Sequence, residues 1–170
     1  YIHYRKGSLV FYRLREEMGE EALNRALKKF LEAKTYQQAP YTTSAELLDF
    51  IRAEARPDQQ ALITDLFEKI SFYDNRVEAA TAKKRADGKY EVTLKLHAAK
   101  RYADGKGKET AGKLDDWVDV GVFARGKSTD EHDEKVLYLQ RHHVTTENPT
   151  VTVVVDGMPY EAGFDPYNKL

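Results

Sequence analysis

Residues 89–100 read KYEVTLKLHAAK, and the alternation inside them decides the fold class. Tyr90, Val92, Leu94 and Leu96 point one way, while Glu91, Thr93, Lys95 and His97 point the other. A period of two with one apolar and one wet face is the mark of a half-buried strand. Asp87-Gly88, just before it, supplies the turn of a hairpin whose first arm is expected from about Val77 to Lys84. Working downstream, DDWVDVGVFA (115–124), KVLYLQRHHVTT (135–146) and TVTVVV (150–155) read as further strands. Glycine-rich or charged loops, ADGKGKETAGK (103–113) and RGKSTDEHDEK (125–135), separate them.

Upstream the period is that of a helix. Leu9, Val10, Phe11, Leu14 and Met18 form one stripe that stops at Gly19, a C-cap residue. Leu23, Ala26, Leu27, Phe30 and Leu31 form a second, with Glu20 and Glu21 in the first turn and an end expected near Thr35. Pro40 breaks the chain, and Thr43 with Glu46 has the spacing of a capping box for a third helix that turns Leu47, Leu48, Ile51 and Ala55 inward. Pro57 suits the first position of a fourth, whose stripe is Leu62, Ile63, Leu66, Phe67 and Ile70, ending near Tyr73-Asp74-Asn75-Arg76. Helices followed by strands segregate into layers. The expected architecture is therefore α+β: an N-terminal α-helical subdomain over 1–75 and a small antiparallel β-sandwich, Ig-like, over 76–170.

Composition narrows the function. The chain has 170 residues, and 41% are hydrophobic, enough for a real core; chains of this size bury about 70% of their unfolded surface. Lys plus Arg (27) nearly balance Asp plus Glu (28), for a net charge of -1, so the concentrated positive surface that nucleic acid requires is not expected. With no cysteine, thiolate zinc sites, disulfides and a cysteine nucleophile are excluded within these residues. No apolar run approaches the roughly 20 residues of a membrane span, and these residues are expected to be soluble by themselves.

Other constellations resolve into ordinary roles. His142 and His143 are neighbours on a strand, point to opposite faces, and are not set to chelate one ion. Asp130, Glu131, His132, Asp133 and Glu134 share a charged loop without the glycine and spacing of an EF-hand. ADGKGK lacks the pattern of a phosphate loop. Ser8 and His3 are not framed by a strand-turn-helix elbow. Trp117, Tyr90, Phe123 and Tyr138 are expected in the core.

YRKGSLVFYRLREEMGEEALNRALKKFLE (4–32) followed by TTSAELLDFI (42–51) resembles the segment of aminopeptidase N-like zinc metallopeptidases that lies C-terminal to their zinc motif. The matching positions are Tyr4, Lys6, Gly7 and Ser8, then Thr42, Thr43 and Ser44. VTVVVDGMPYEAGFDPYNKL (151–170) is similar to the ending of bacterial members, including proteins that fuse this peptidase to a transporter-like permease. The resemblance covers nearly the whole chain. It implies that Tyr4 is catalytic, a phenol that donates a hydrogen bond to the oxyanion formed during peptide hydrolysis. A peptide is the implied substrate; Tyr1, three residues before Tyr4, and Lys6, at the helix start, are the candidate substrate contacts beside it.

The departures from the family define the rest of the expectation. The His-Glu-x-x-His motif, the third zinc-binding glutamate and the Gly-x-Met-Glu-Asn loop are absent from these 170 residues. The resemblance therefore implies the C-terminal portion of a larger zinc aminopeptidase, with zinc in the parent protein and none here, and no activity from this portion alone. A membrane-associated parent is implied by the permease fusion. The first helix, with Leu9, Val10 and Leu14, is expected to leave an apolar patch and to favour self-association. The alternative is a non-catalytic β-sandwich that serves as an interaction module of a membrane-associated, transporter-like protein.

Overall fold

The computed structural model describes residues 6–126 and 134–170. The chain divides after Ile70 into two compact units, one helical and one built of strands, so the fold is α+β.

In the helical unit, α1 (Gly7–Met18) ends at Gly19, whose φ of 84° and ψ of 150° lie in a region essentially restricted to glycine. The Gly19 N–H bonds to the Arg15 carbonyl, and α2 (Glu20–Lys34) starts at once. Acidic residues open α2 and Lys34 closes it, as the helix dipole favours. After α3 (Ser44–Glu54), a 3-10 turn at Pro57–Gln59 leads into α4 (Gln60–Phe67). The four helices share a core of Val10, Leu14, Met18, Leu23, Ala26, Leu48, Ile51 and Ile63. Arg52 ties α3 to α4 by donating to Gln60 Oε1 at 3.0 Å and Thr64 Oγ1 at 2.9 Å. Glu54 ties α3 to α2 through Arg25, 3.0 Å away, and Lys29.

The stripes locate these helices well but overstate two faces. Leu31 is exposed although it falls on the apolar spacing of α2. Of the three α1 residues expected to form an exposed patch, only Leu9 is open to solvent, because Val10 and Leu14 are taken up by the helical core.

The β unit begins earlier than the sequence suggested. The Glu68 N–H bonds to the Thr64 carbonyl and closes α4, and Ile70, read as the end of a helical stripe, starts β1 (Ile70–Lys84). Half-buried Ser71, Tyr73, Asn75 and Val77 alternate there with exposed Phe72, Asp74, Arg76 and Glu78, a period of two. The turn to β2 (Tyr90–Ala103) sits at the expected Asp87-Gly88, with Gly88 at φ 83°. A turn of the same hydrogen-bond pattern, with Gly107 at φ 83° after Lys106 and its N–H bonded to the Asp104 carbonyl, turns β2 into a short β3 (Glu109–Ala111) inside what reads as a loop.

Two antiparallel sheets result. In one, β2 pairs with β1, with β3 along its last residues, and with β6 (Thr150–Val155) from Tyr90↔Val155 to Lys95↔Thr150. In the other, β4 (Asp116–Arg125) lies between β5 (Glu134–Val144) and β7 (Glu161–Phe164). Both sheets contribute to one core, in which Val92, Leu94, Leu96 and Ala98 of β2 meet Val118, Val120 and Val122 of β4. This is the sandwich arrangement the alternation at 89–100 called for. Among the described residues, no helix is long and apolar enough to cross a membrane.

Candidate functional site

Tyr4 and Tyr1, which carry the implied catalytic and substrate roles, lie outside the described residues, as does His3. Lys6 immediately precedes α1 and is half-buried; Gly7 is the first residue of the helix. The first turn of α1 holds no acidic side chain, so the partial positive charge of this helix end is not offset by a carboxylate of its own.

The second matching stretch, Thr42-Thr43-Ser44, builds a polar knot. Thr43 caps α3: its Oγ1 accepts from the Glu46 N–H at 3.3 Å, while Glu46 Oε2 accepts from the Thr43 N–H at 2.9 Å. Thr42 Oγ1 donates to the same carboxylate oxygen at 2.9 Å, and Lys34, at the end of α2, donates to the other. The Lys34 bond, then the Thr43 N–H and the Thr42 hydroxyl hold the Glu46 carboxyl down at about 2. The knot fixes where α3 starts relative to the end of α2.

A second polar cluster, inside the sandwich, was not singled out from the sequence. Lys100 continues the inward register of Val92, Leu94, Leu96 and Ala98, and Asp116 precedes that of Val118, Val120 and Val122. Both side chains are 5% exposed, with Lys100 Nζ 3.1 Å from Asp116 Oδ1 and 3.3 Å from Oδ2. The Tyr73 hydroxyl donates to Asp116 Oδ1 at 3.1 Å, and the Asp115 N–H donates to Oδ2 at 3.3 Å. Burial, and next the Asp116 charge, push the Tyr73 phenol well above its ordinary range, so it keeps its proton. Nζ lies 5.3 Å from the ring centre of Tyr73 and 5.9 Å from that of Tyr102. Gly112 closes the cluster because it has no side chain: a Cβ there would come within 2.9 Å of Lys100 Cγ and of the Tyr102 ring. Beside it opens a groove of about 320 Å³ lined in part by Arg101, Glu109 and Glu147.

The histidines take separate partners. His142 Nε2 lies 2.8 Å from the Tyr138 hydroxyl, and burial lowers its pKa. His143 Nε2 lies 2.7 Å from Asp115 Oδ1, and its ring stacks on Trp117 with centroids 5.0 Å apart. Trp117 is thus not a core residue but 48% exposed. The even positions of β4 face inward, which turns Trp117 out to His143 and to the Arg141 guanidinium, 6.0 Å from its ring. Phe123 is buried, and Tyr90 and Tyr138 pack against the core, as expected.

Among the described residues, no group of three or more His, Asp or Glu side chains is placed to hold a metal ion. The described residues therefore do not fit a zinc centre. No family model matches the chain, and neither a curated protein nor a solved structure does.

Proposed function

We propose that the chain is the C-terminal portion of a zinc-dependent aminopeptidase that removes N-terminal residues from peptides. In this reading Tyr4 donates its phenolic hydrogen bond to the oxyanion that develops on the scissile carbonyl, and Tyr1 and Lys6 border the substrate. The observation that carries the reading is the order of three sequence stretches, Tyr4 to Glu32, Thr42 to Ile51 and Val151 to Leu170, each resembling the corresponding stretch of aminopeptidase N-like enzymes.

The helices are compatible with these roles. Lys6-Gly7 stands at the opening of α1 and Thr43-Ser44 at the opening of α3, where the resemblance expects helices to begin. A phenol suits the task of Tyr4, since with an ordinary pKa near 10 it remains a donor at neutral pH and carries that donor on a rigid ring. A donor placed where negative charge develops lowers a barrier by about 3 kcal/mol. The zinc belongs to ligands these residues do not supply, so the part played by this chain is oxyanion stabilisation and the bracing of the catalytic wall.

The test is the coding region upstream of Tyr1 together with its product. An intact His-Glu-x-x-His, and a full-length protein that binds stoichiometric zinc and cleaves aminoacyl anilides, is the expected result. Loss of the ligands, with no activity in the full-length protein, refutes the enzyme and leaves the sandwich as a non-catalytic interaction module.

A further inference from the structure

We propose that Lys100 and Asp116 condense to an intramolecular amide that cross-links the two sheets of the sandwich. The proposal rests on the buried cluster alone and is independent of the peptidase reading.

The geometry supplies what such a condensation needs. The amine and the carboxyl group face each other across 3.1 and 3.3 Å, and both side chains are 5% exposed. Two opposite charges withdrawn from water carry a desolvation cost that their attraction only partly returns. Passing one proton from Nζ to Oδ2 along the 3.3 Å contact removes both charges and leaves a neutral amine beside a neutral acid whose carbonyl oxygen is Oδ1. The amine is then a nucleophile held beside the carboxyl group whose Cγ it attacks. Groups held this way react with effective molarities of about 10⁵ M or more, which favours an amide that dilute amine and acid in water do not form.

A donor for the developing oxyanion, and another for the departing oxygen, are already in place. The Tyr73 hydroxyl donates to Oδ1 and keeps its proton, while the Asp115 N–H donates to Oδ2. As Nζ adds to Cγ, Oδ1 takes up negative charge against the Tyr73 donor. Collapse of the tetrahedral species breaks the Cγ–Oδ2 bond, and Oδ2 leaves as water. Of the three protons on the ammonium, one stays on the amide nitrogen and two depart with that water, so no oxidant, reductant or co-reactant is needed. The product joins β2 of one sheet to β4 of the other across residues sixteen positions apart.

The experiment is peptide mapping of the purified 170-residue chain. The expected result is an intact mass about 18 Da below that of the sequence, the mass of one water, and a branched tryptic peptide joining Lys100 to Asp116. The branch matters because Asp87-Gly88, Asp104-Gly105 and Asp156-Gly157 can also lose water by forming succinimides. Hydroxylamine opens those and leaves an amide intact. Lys100→Arg abolishes the branch. In Asp116→Asn the same attack expels ammonia, so the loss becomes about 17 Da. Tyr73→Phe slows the appearance of the branch in freshly refolded protein. Recovery of a free tryptic peptide ending at Lys100 as the dominant species, from protein with cooperative unfolding, overturns the proposal.

Discussion

Replacing Asp116 by alanine tests the reading of the sandwich interior most sharply. Relative to the unreacted pair, the substitution leaves the Lys100 amine 5% exposed with no carboxylate beside it and strands the Tyr73 hydroxyl that donated to Oδ1, and relative to the condensed pair it removes the cross-link as well. An uncompensated buried charge costs about 3–5 kcal/mol, and the unpaired hydroxyl adds to this. Domains of this size have a total stability of about 5–15 kcal/mol, so the loss takes a large share of it. With a urea dependence of about 1–3 kcal/mol per molar, the unfolding midpoint should fall by about 2 M. The assay is built into the chain. Trp117 is the only tryptophan, it follows Asp116 directly, and its ring stacks on His143, so its fluorescence reports the β unit. The paired replacement Lys100→Met with Asp116→Leu should do less damage than Asp116→Ala alone, since it leaves no buried charge. A midpoint for Asp116→Ala within experimental error of the unsubstituted protein would refute the assignment of Lys100 and Asp116 to a closed, water-excluded cluster.

Two further outcomes are expected. The Glu46 carboxyl, held at about 2 by Lys34, Thr43 and Thr42, is depressed from an ordinary value of 4.5. A depressed carboxyl stabilises the fold above its unfolded value, and that contribution is lost as pH falls from about 4.5 towards 2. Carbon-detected NMR titration should therefore find Glu46 ionised at pH 4, and Glu46→Gln should flatten the acid limb of helical unfolding; an ordinary Glu46 titration would contradict this. At Gly121, an added Cβ would lie 2.6 Å from the ring of Phe123, itself 4% exposed, and 3.3 Å from Pro166. Gly121→Ala should accordingly cost about 1–3 kcal/mol in the same fluorescence assay, and a neutral effect would show that the ring has room to move.

Much of the architecture could be read from spacing. The stop at Gly19, the cap at Thr43 and the turn at Asp87-Gly88 are local chemistry, set by backbone freedom and short-range hydrogen bonds, and each stands where the sequence placed it. What escaped lies partly in a change of period along the chain and partly in neighbours distant in it. Ile70 continues a helical stripe by spacing, yet alternation in the following residues makes it the start of a strand. Three residues of β3 exist because β2 offers an edge to pair with, and nothing in Glu109-Thr110-Ala111 announces that. Trp117 looked like core by residue type, but the inward register of Val118, Val120 and Val122 turns it outward. The same register held the overlooked signal for the buried cluster: a lysine at the next inward position of β2 and an aspartate preceding the inward run of β4. The implied site at Tyr4 came from resemblance alone and lies outside the described residues.

The central claim is that Tyr4 donates to the oxyanion in a zinc aminopeptidase. It is tested most directly by measuring turnover of an aminoacyl anilide by the full-length protein and by its Tyr4→Phe variant, with zinc content determined on the same samples. The expected result is a fall in kcat of about a hundredfold or more, with KM little changed and zinc unaltered, because a donor that acts only on the transition state has been removed. Equal turnover by the two proteins would contradict it.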